Sequence, residues 1–130
     1  MDFKKSIKTV LLTLLVFSIA LPFYAQEERT DPSIGLIPAV ASRDLDRINT
    51  LLAVGADINV RNESGMTPLI IATYFNYPEV VNLLIKKGAN LNATYIQRGC
   101  CGGTFTALDV AKKRGYLTIM LMLQKAASGR

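Results

Sequence analysis

A segment of this chain recurs at an offset of 33 residues, and that recurrence restricts the possible folds more than any other feature. Leu51-Leu52-Ala53-Val54-Gly55-Ala56-Asp57-Ile58-Asn59 aligns with Leu84-Ile85-Lys86-Lys87-Gly88-Ala89-Asn90-Leu91-Asn92. The same offset pairs Leu36-Ile37-Pro38-Ala39 with Leu69-Ile70-Ile71-Ala72, and Ile48 with Val81. A fixed period of this length marks stacked supersecondary units, each too small to bury its apolar face without a neighbour. Half of the residues are hydrophobic and 19% are charged, a balance that supports a packed core and excludes a disordered chain.

The central unit carries the local signals most fully. Thr67 is placed to cap a helix by accepting from an orphan backbone N–H, and Pro68 follows at the first helical position, where a missing donor costs little. Leu69 and Ala72 share a face, Ala72 being small enough for two helices to approach closely. Val80, Val81, Leu83 and Leu84 give a second helix its apolar stripe. Gly88 supplies the left-handed conformation that ends it. Asn90 and Asn92 then begin an extended finger, where short polar side chains bond to the turning backbone.

The run Gly65-Met66-Thr67-Pro68-Leu69-Ile70-Ile71-Ala72 follows the pattern G-x-T-P-L-H-x-A. With Val80-Val81-Asn82-Leu83-Leu84 and Gly88-Ala89-Asn90-Leu91-Asn92 after it, the chain resembles the ankyrin-repeat family over about residues 34–127. The resemblance implies an all-α solenoid of about three helix-turn-helix repeats with hairpin fingers, at 34–61, 62–93 and 94–127. It also implies a rigid concave surface that binds another protein and performs no chemistry. The family's usual histidine is replaced by Ile70 and Asp109, so the hydrogen bonds it gives must be absent or replaced.

The two outer units depart from the pattern. The first lacks the T-P-L start, and Pro38 falls where a helix-interior donor is expected, which predicts a short or kinked helix. Residues 26–33 are polar and read as a flexible lead-in to a domain spanning 34–130. In the third unit Thr106-Ala107-Leu108-Asp109-Val110-Ala111 takes the place of the T-P-L-H-x-A line. Ala72 and Ala111 are 39 apart, six more than the period, so the extra residues make Ala93–Phe105 a long loop. Insertions in repeat proteins map to loops on one face, often the binding face.

The amino terminus reads as an export signal. Lys4, Lys5 and Lys8 precede the apolar run Val10–Leu21, Pro22 breaks it, and the small Ala25 precedes Gln26. Residues 1–25 are thus expected to be removed, with cleavage after Ala25 or Ala20, and the compact Lys-rich start points to a bacterial periplasm. The alternative is an inner-membrane anchor formed by residues 9–26. Removing residues 1–25 leaves 12 basic and 9 acidic groups, ordinary solubility charge. That excess and the exported address both argue against nucleic acid as partner.

Reactive chemistry is sparse. There is no histidine, which removes the commonest general base and the commonest zinc ligand, so no metal site, cofactor or enzymatic activity is expected. Cys100 and Cys101 stand between glycines near the tip of the inserted loop. Adjacent Cα atoms lie about 3.8 Å apart, below the usual disulfide range of roughly 4.4–6.8 Å, so a bond between them is strained and reducible. A structural staple, an intermolecular bridge and a redox-sensing ring all remain open.

The contact surface is expected to comprise Glu63, Ser64 and Met66 on one finger, Tyr74 and Phe75, Tyr95, Arg98 and Phe105 on the loop, and Lys113 with Arg114. By the resemblance Lys113 and Arg114 fall on the concave groove, matching Tyr74 and Phe75 one unit earlier. The bland alternatives are a solvated cationic helix end and aromatic residues that merely pack. The run Ile119-Met120-Leu121-Met122-Leu123 is more apolar than one buried stripe requires. Leu121 is expected to be exposed, under a folded-over tail from Lys125 or as a self-association surface. Resemblance to exported bacterial ankyrin proteins implies an immunity or accessory role toward a secreted or periplasmic protein. The alternative is an oxidative-stress or redox-linked accessory role using the cysteines.

Overall fold

The computed structural model describes residues 7–9, 31–99 and 102–129. The chain divides into two units, Met1–Thr30 and Asp31–Arg130. In the first, residues 7–9 are helical and exposed. The cleavage positions, most of the lead-in, and Cys100 with Cys101 lie outside the described residues.

Among its described residues the second unit has six helices and one hairpin: α1 (Pro32–Ala41), α2 (Leu45–Ala53), α3 (Pro68–Tyr74), α4 (Pro78–Lys86), β1 (Thr94–Ile96), β2 (Thr104–Thr106), α5 (Ala107–Arg114) and α6 (Leu117–Ser128). Helices pair within units, α1 with α2, α3 with α4 and α5 with α6, while α3 packs between α1 and α5. One backbone bond repeats in every unit: the N–H of Asp44, Tyr77 and Tyr116 donates to Ala39, Ala72 and Ala111 at 3.0, 2.9 and 2.9 Å. Another recurs where the second helix ends, from Ala56 to Leu51 at 2.9 Å and from Ala89 to Leu84 at 3.0 Å. The sequence period is thereby a period of hydrogen bonds.

Leu36, Ala39, Ile48, Ile70, Ala72, Val80, Val81, Leu84, Ala111 and Ile119 are wholly buried in one continuous core. Thr67 caps α3 and Pro68 stands at its first position, as the motif requires. Gly88 follows α4 with φ +88°, a conformation that favours glycine. The turn between paired helices also needs a left-handed residue, filled by Arg43 (φ 59°), Asn76 (φ 58°) and Gly115 (φ 74°) in the three units.

Three expectations change. Helix α1 starts ahead of residue 34, because the Asp31 carboxylate accepts from the Ser33 N–H at 2.9 Å and caps it. Of the short and kinked alternatives at Pro38, the short one fails: the helix has 10 residues and runs through the proline. One backbone bond is lost there, but Leu36, Ala39 and Val40 around the proline are fully buried and hold the helix in place. The tail from Lys125 does not fold back over α6; it extends that helix to Ser128, and Leu121 stays 63% exposed.

Candidate binding surface

The insertion folds as a hairpin rather than a loop. Thr94-Tyr95-Ile96 and Thr104-Phe105-Thr106 are β-branched and aromatic, residues that fit a pleated surface. They pair antiparallel in the register Thr94↔Thr106, Tyr95↔Phe105 and Ile96↔Thr104. The preceding finger is folded around Asn62, whose side-chain oxygen accepts from the N–H of Ser64 at 3.0 Å and of Met66 at 2.9 Å. Arg61 ties the two together: its Nη1 donates to the Gly65 carbonyl at 2.8 Å and to the Thr94 carbonyl at 2.7 Å.

Between them lies an open groove of about 720 Å³, lined by Glu63, Ser64 and Met66 of the finger, by Tyr95, Ile96 and Arg98 of the hairpin, and by Tyr74 of α3. It adjoins a smaller hollow of about 200 Å³ lined by Phe105, Lys113 and Arg114 together with the same Tyr74 and Tyr95. Cations lie against the rings here. The Arg114 guanidinium is 3.8 Å from the Tyr74 ring centroid, and Lys113 Nζ is 5.0 Å from that of Phe105. Lys113 also reaches the Gln97 side-chain oxygen at 3.5 Å. Hydrogen bonding to Tyr116, and secondarily to Tyr74, holds Arg114 still more firmly in its charged form. Such stacking fixes a long side chain that would otherwise lose entropy on binding.

Nine of the ten contact residues read from sequence therefore line one continuous depression. Phe75 does not. It stands at the C-cap of α3, edge-on to Tyr74 with centroids 5.6 Å apart, and its ring turns to stack on Tyr77 at 5.8 Å. Tyr77 packs against the core, and the Arg43 guanidinium stacks over it at 5.8 Å while bonding Glu79 at 2.6 Å. Tyr77 thus joins the second unit to the first through Arg43, while Phe75 stacks on it within the second unit. Ile96 and Gln97 belong to the Tyr95–Phe105 loop read as part of the surface, whereas Arg61 was missed. The position of Arg61 one period before Thr94 was the available signal.

Asp109 replaces the family's histidine with a different bond set. Its Oδ2 accepts from the Thr106 N–H at 2.9 Å and from the Thr106 hydroxyl at 2.7 Å. Thr106 Oγ1 in turn accepts from the Asp109 N–H at 3.2 Å, completing a reciprocal cap of α5 directly behind β2. These bonds, the backbone one first, lower the Asp109 pKa, and Ser33 lowers that of Asp31 through its hydroxyl and N–H. A carboxylate depressed on folding stabilises above its unfolded pKa of about 3.9 and loses that contribution as pH falls through the folded value. Urea titration of Asp109→Ala is expected to show a loss of about 1 kcal/mol at pH 7. That deficit should shrink toward zero as the pH is taken below 4. A deficit independent of pH would contradict the cap.

Among the described residues no cluster of carboxylates and thiols could hold a metal ion, and no helix is long and apolar enough to cross a membrane. A family model for ankyrin repeats, in three copies, matches residues 36–129, and the chain belongs to that family. It is 31% identical over 91 residues to Protein fem-1 homolog C of Bos taurus, which covers 70% of this chain and 15% of that protein. Over 56 residues it is 45% identical to Protein phosphatase 1 regulatory subunit 27 of Homo sapiens, covering 43% of this chain and 36% of that one. The chain thus spans a minor part of the length of these relatives. Ankyrin repeats are protein-protein interaction modules and are generally non-catalytic.

Proposed function

We propose that this chain is an exported, non-catalytic binding module whose partner is an acidic protein of the bacterial periplasm or one secreted through it. The observation that carries the reading is the composition of the groove. Arg61, Arg98, Lys113 and Arg114 line it against the single carboxylate of Glu63, and Tyr74, Tyr95 and Phe105 stand among them. Aromatic residues and arginine are the side chains that dominate binding energy at interfaces, and one-signed charge selects the partner's sign. Neutralising a secreted effector, as an immunity protein does, suits such a surface. One relative is by its printed name a regulatory subunit, another non-catalytic role for the same architecture.

Capture from periplasmic extract tests this, with the Tyr74→Ala/Arg114→Ala protein as control. The wild type is expected to retain an acidic protein that the double variant does not. Equal recovery of the same proteins by both would overturn the groove assignment. Export is read separately, from the amino terminus of the protein in the periplasmic fraction. It is expected to begin at Gln26 or Leu21; intact chain confined to the inner membrane would support the anchor instead.

A further inference from the structure

We infer that the outer edge of β1 is a docking edge, at which an extended acidic segment of the partner adds as a further strand. This rests on the groove reading above and specifies how the groove is filled.

The register determines which backbone groups are free. The Gln97 N–H donates to the Gly103 carbonyl at 3.2 Å, so Gln97 and Gly103 form a hydrogen-bonded pair. Bonded and non-bonded pairs alternate along an antiparallel ladder, which makes Tyr95 and Phe105 the next bonded pair. Thr94 and Ile96 must then direct their N–H and C=O groups away from β2. Arg61 confirms the direction independently, because the Thr94 carbonyl accepts from it on the side of the Asn62 finger. The Thr94 N–H and both backbone groups of Ile96 consequently face the groove.

Folded proteins normally blunt such an edge or cover it. Here the Ile96 side chain is 66% exposed, and the strand borders the roughly 720 Å³ groove instead of a covering element. A peptide laid along β1 exchanges two hydrogen bonds with Ile96 and takes a third from the Thr94 N–H. Its side chains alternate, so one set meets Tyr74 and Tyr95 while glutamates or aspartates meet Arg61 and Arg98. The excess of cations over Glu63 favours an acidic strand over a second copy of this chain, whose own β1 edge carries the same cations.

Ile96→Pro separates this mode from groove binding in general. Its N–H points away from β2, so proline removes an edge donor without removing a ladder bond. The probe is a fluorescein-labelled heptapeptide alternating glutamate with valine and tyrosine, and a lysine-for-glutamate version is the control. Binding to the glutamate peptide is expected, with slowed exchange of the Ile96 amide in the 15N-labelled protein at saturation. Ile96→Pro should weaken it about tenfold, the cost of the one lost edge bond.

If Ile96→Pro binds like wild type while Tyr74→Ala/Arg114→Ala does not, strand addition is wrong and the groove reading stands. If neither variant matters, both fall. Should the proline disturb the Tyr95 and Phe105 amides, the wild-type exchange decides alone, and an Ile96 amide unslowed at saturation overturns the proposal. So does failure of the glutamate peptide to bind at millimolar concentration. Concentration-dependent protection of Ile96 without peptide would overturn it in favour of self-pairing.

Discussion

Replacing Leu69 with alanine is expected to destabilise the repeat domain by about 2–5 kcal/mol, measured as a fall in the urea midpoint at constant slope. Leu69 is 1% exposed on α3, the helix that packs against both α1 and α5. Truncation therefore leaves a cavity in a unit with a neighbour on each side. In a stack held by nearest-neighbour interfaces, weakening the middle unit loosens both. A domain of this size has total stability of about 5–15 kcal/mol, so the variant should be substantially unfolded at 37 °C if the parent lies at the lower end. The same truncation at Leu121, which is 63% exposed on α6, is expected to change stability by about 0.5 kcal/mol or less. Similar losses at both sites would contradict the stacking described here.

The second large effect falls on binding. Tyr74→Ala combined with Arg114→Ala is expected to weaken the partner complex by about 2 kcal/mol or more, roughly thirtyfold. Both side chains are exposed, Tyr74 at 38%, so folding stability should be little changed. They act together, since the guanidinium lies 3.8 Å from the ring centroid, and removing either frees the other from its position. The single variants should accordingly show losses whose sum exceeds that of the double. Raising salt should weaken the wild-type complex more steeply than the double variant's, one cation having gone from the groove. Isothermal titration at two ionic strengths measures both effects.

Those features set by short-range chemistry were legible from the sequence. Thr67 and Pro68 start α3, Gly88 ends the turn after α4, and the buried pairs Leu36 with Leu69, Ala39 with Ala72 and Ile48 with Val81 follow the 33-residue offset. The inserted segment had no second copy to align with, so its strands were read as loop although Thr94–Ile96 and Thr104–Thr106 alternate suitably. Asp109 was read as a lost histidine, whereas Thr106 and Asp109 three residues apart already spell a reciprocal cap. The grouping of nine proposed contact positions along one depression was legible because repeats place equivalent positions on one face. The place of Phe75 was not, because a side chain at a helix C-cap can turn either way and Tyr77 offers it a ring. Arg61 escaped because its partners are backbone carbonyls, one of them a full period away.

Site-specific photo-crosslinking in cells tests the central claim most directly, that the finger, the hairpin and the α5 cations form the partner-binding face. A photoreactive phenylalanine placed at Tyr95 in the groove is expected to trap the partner on illumination. One placed at Asn82, exposed between α4 and α6 on a different surface, is expected to trap none. Trapping from Asn82 with none from Tyr95 would contradict the account.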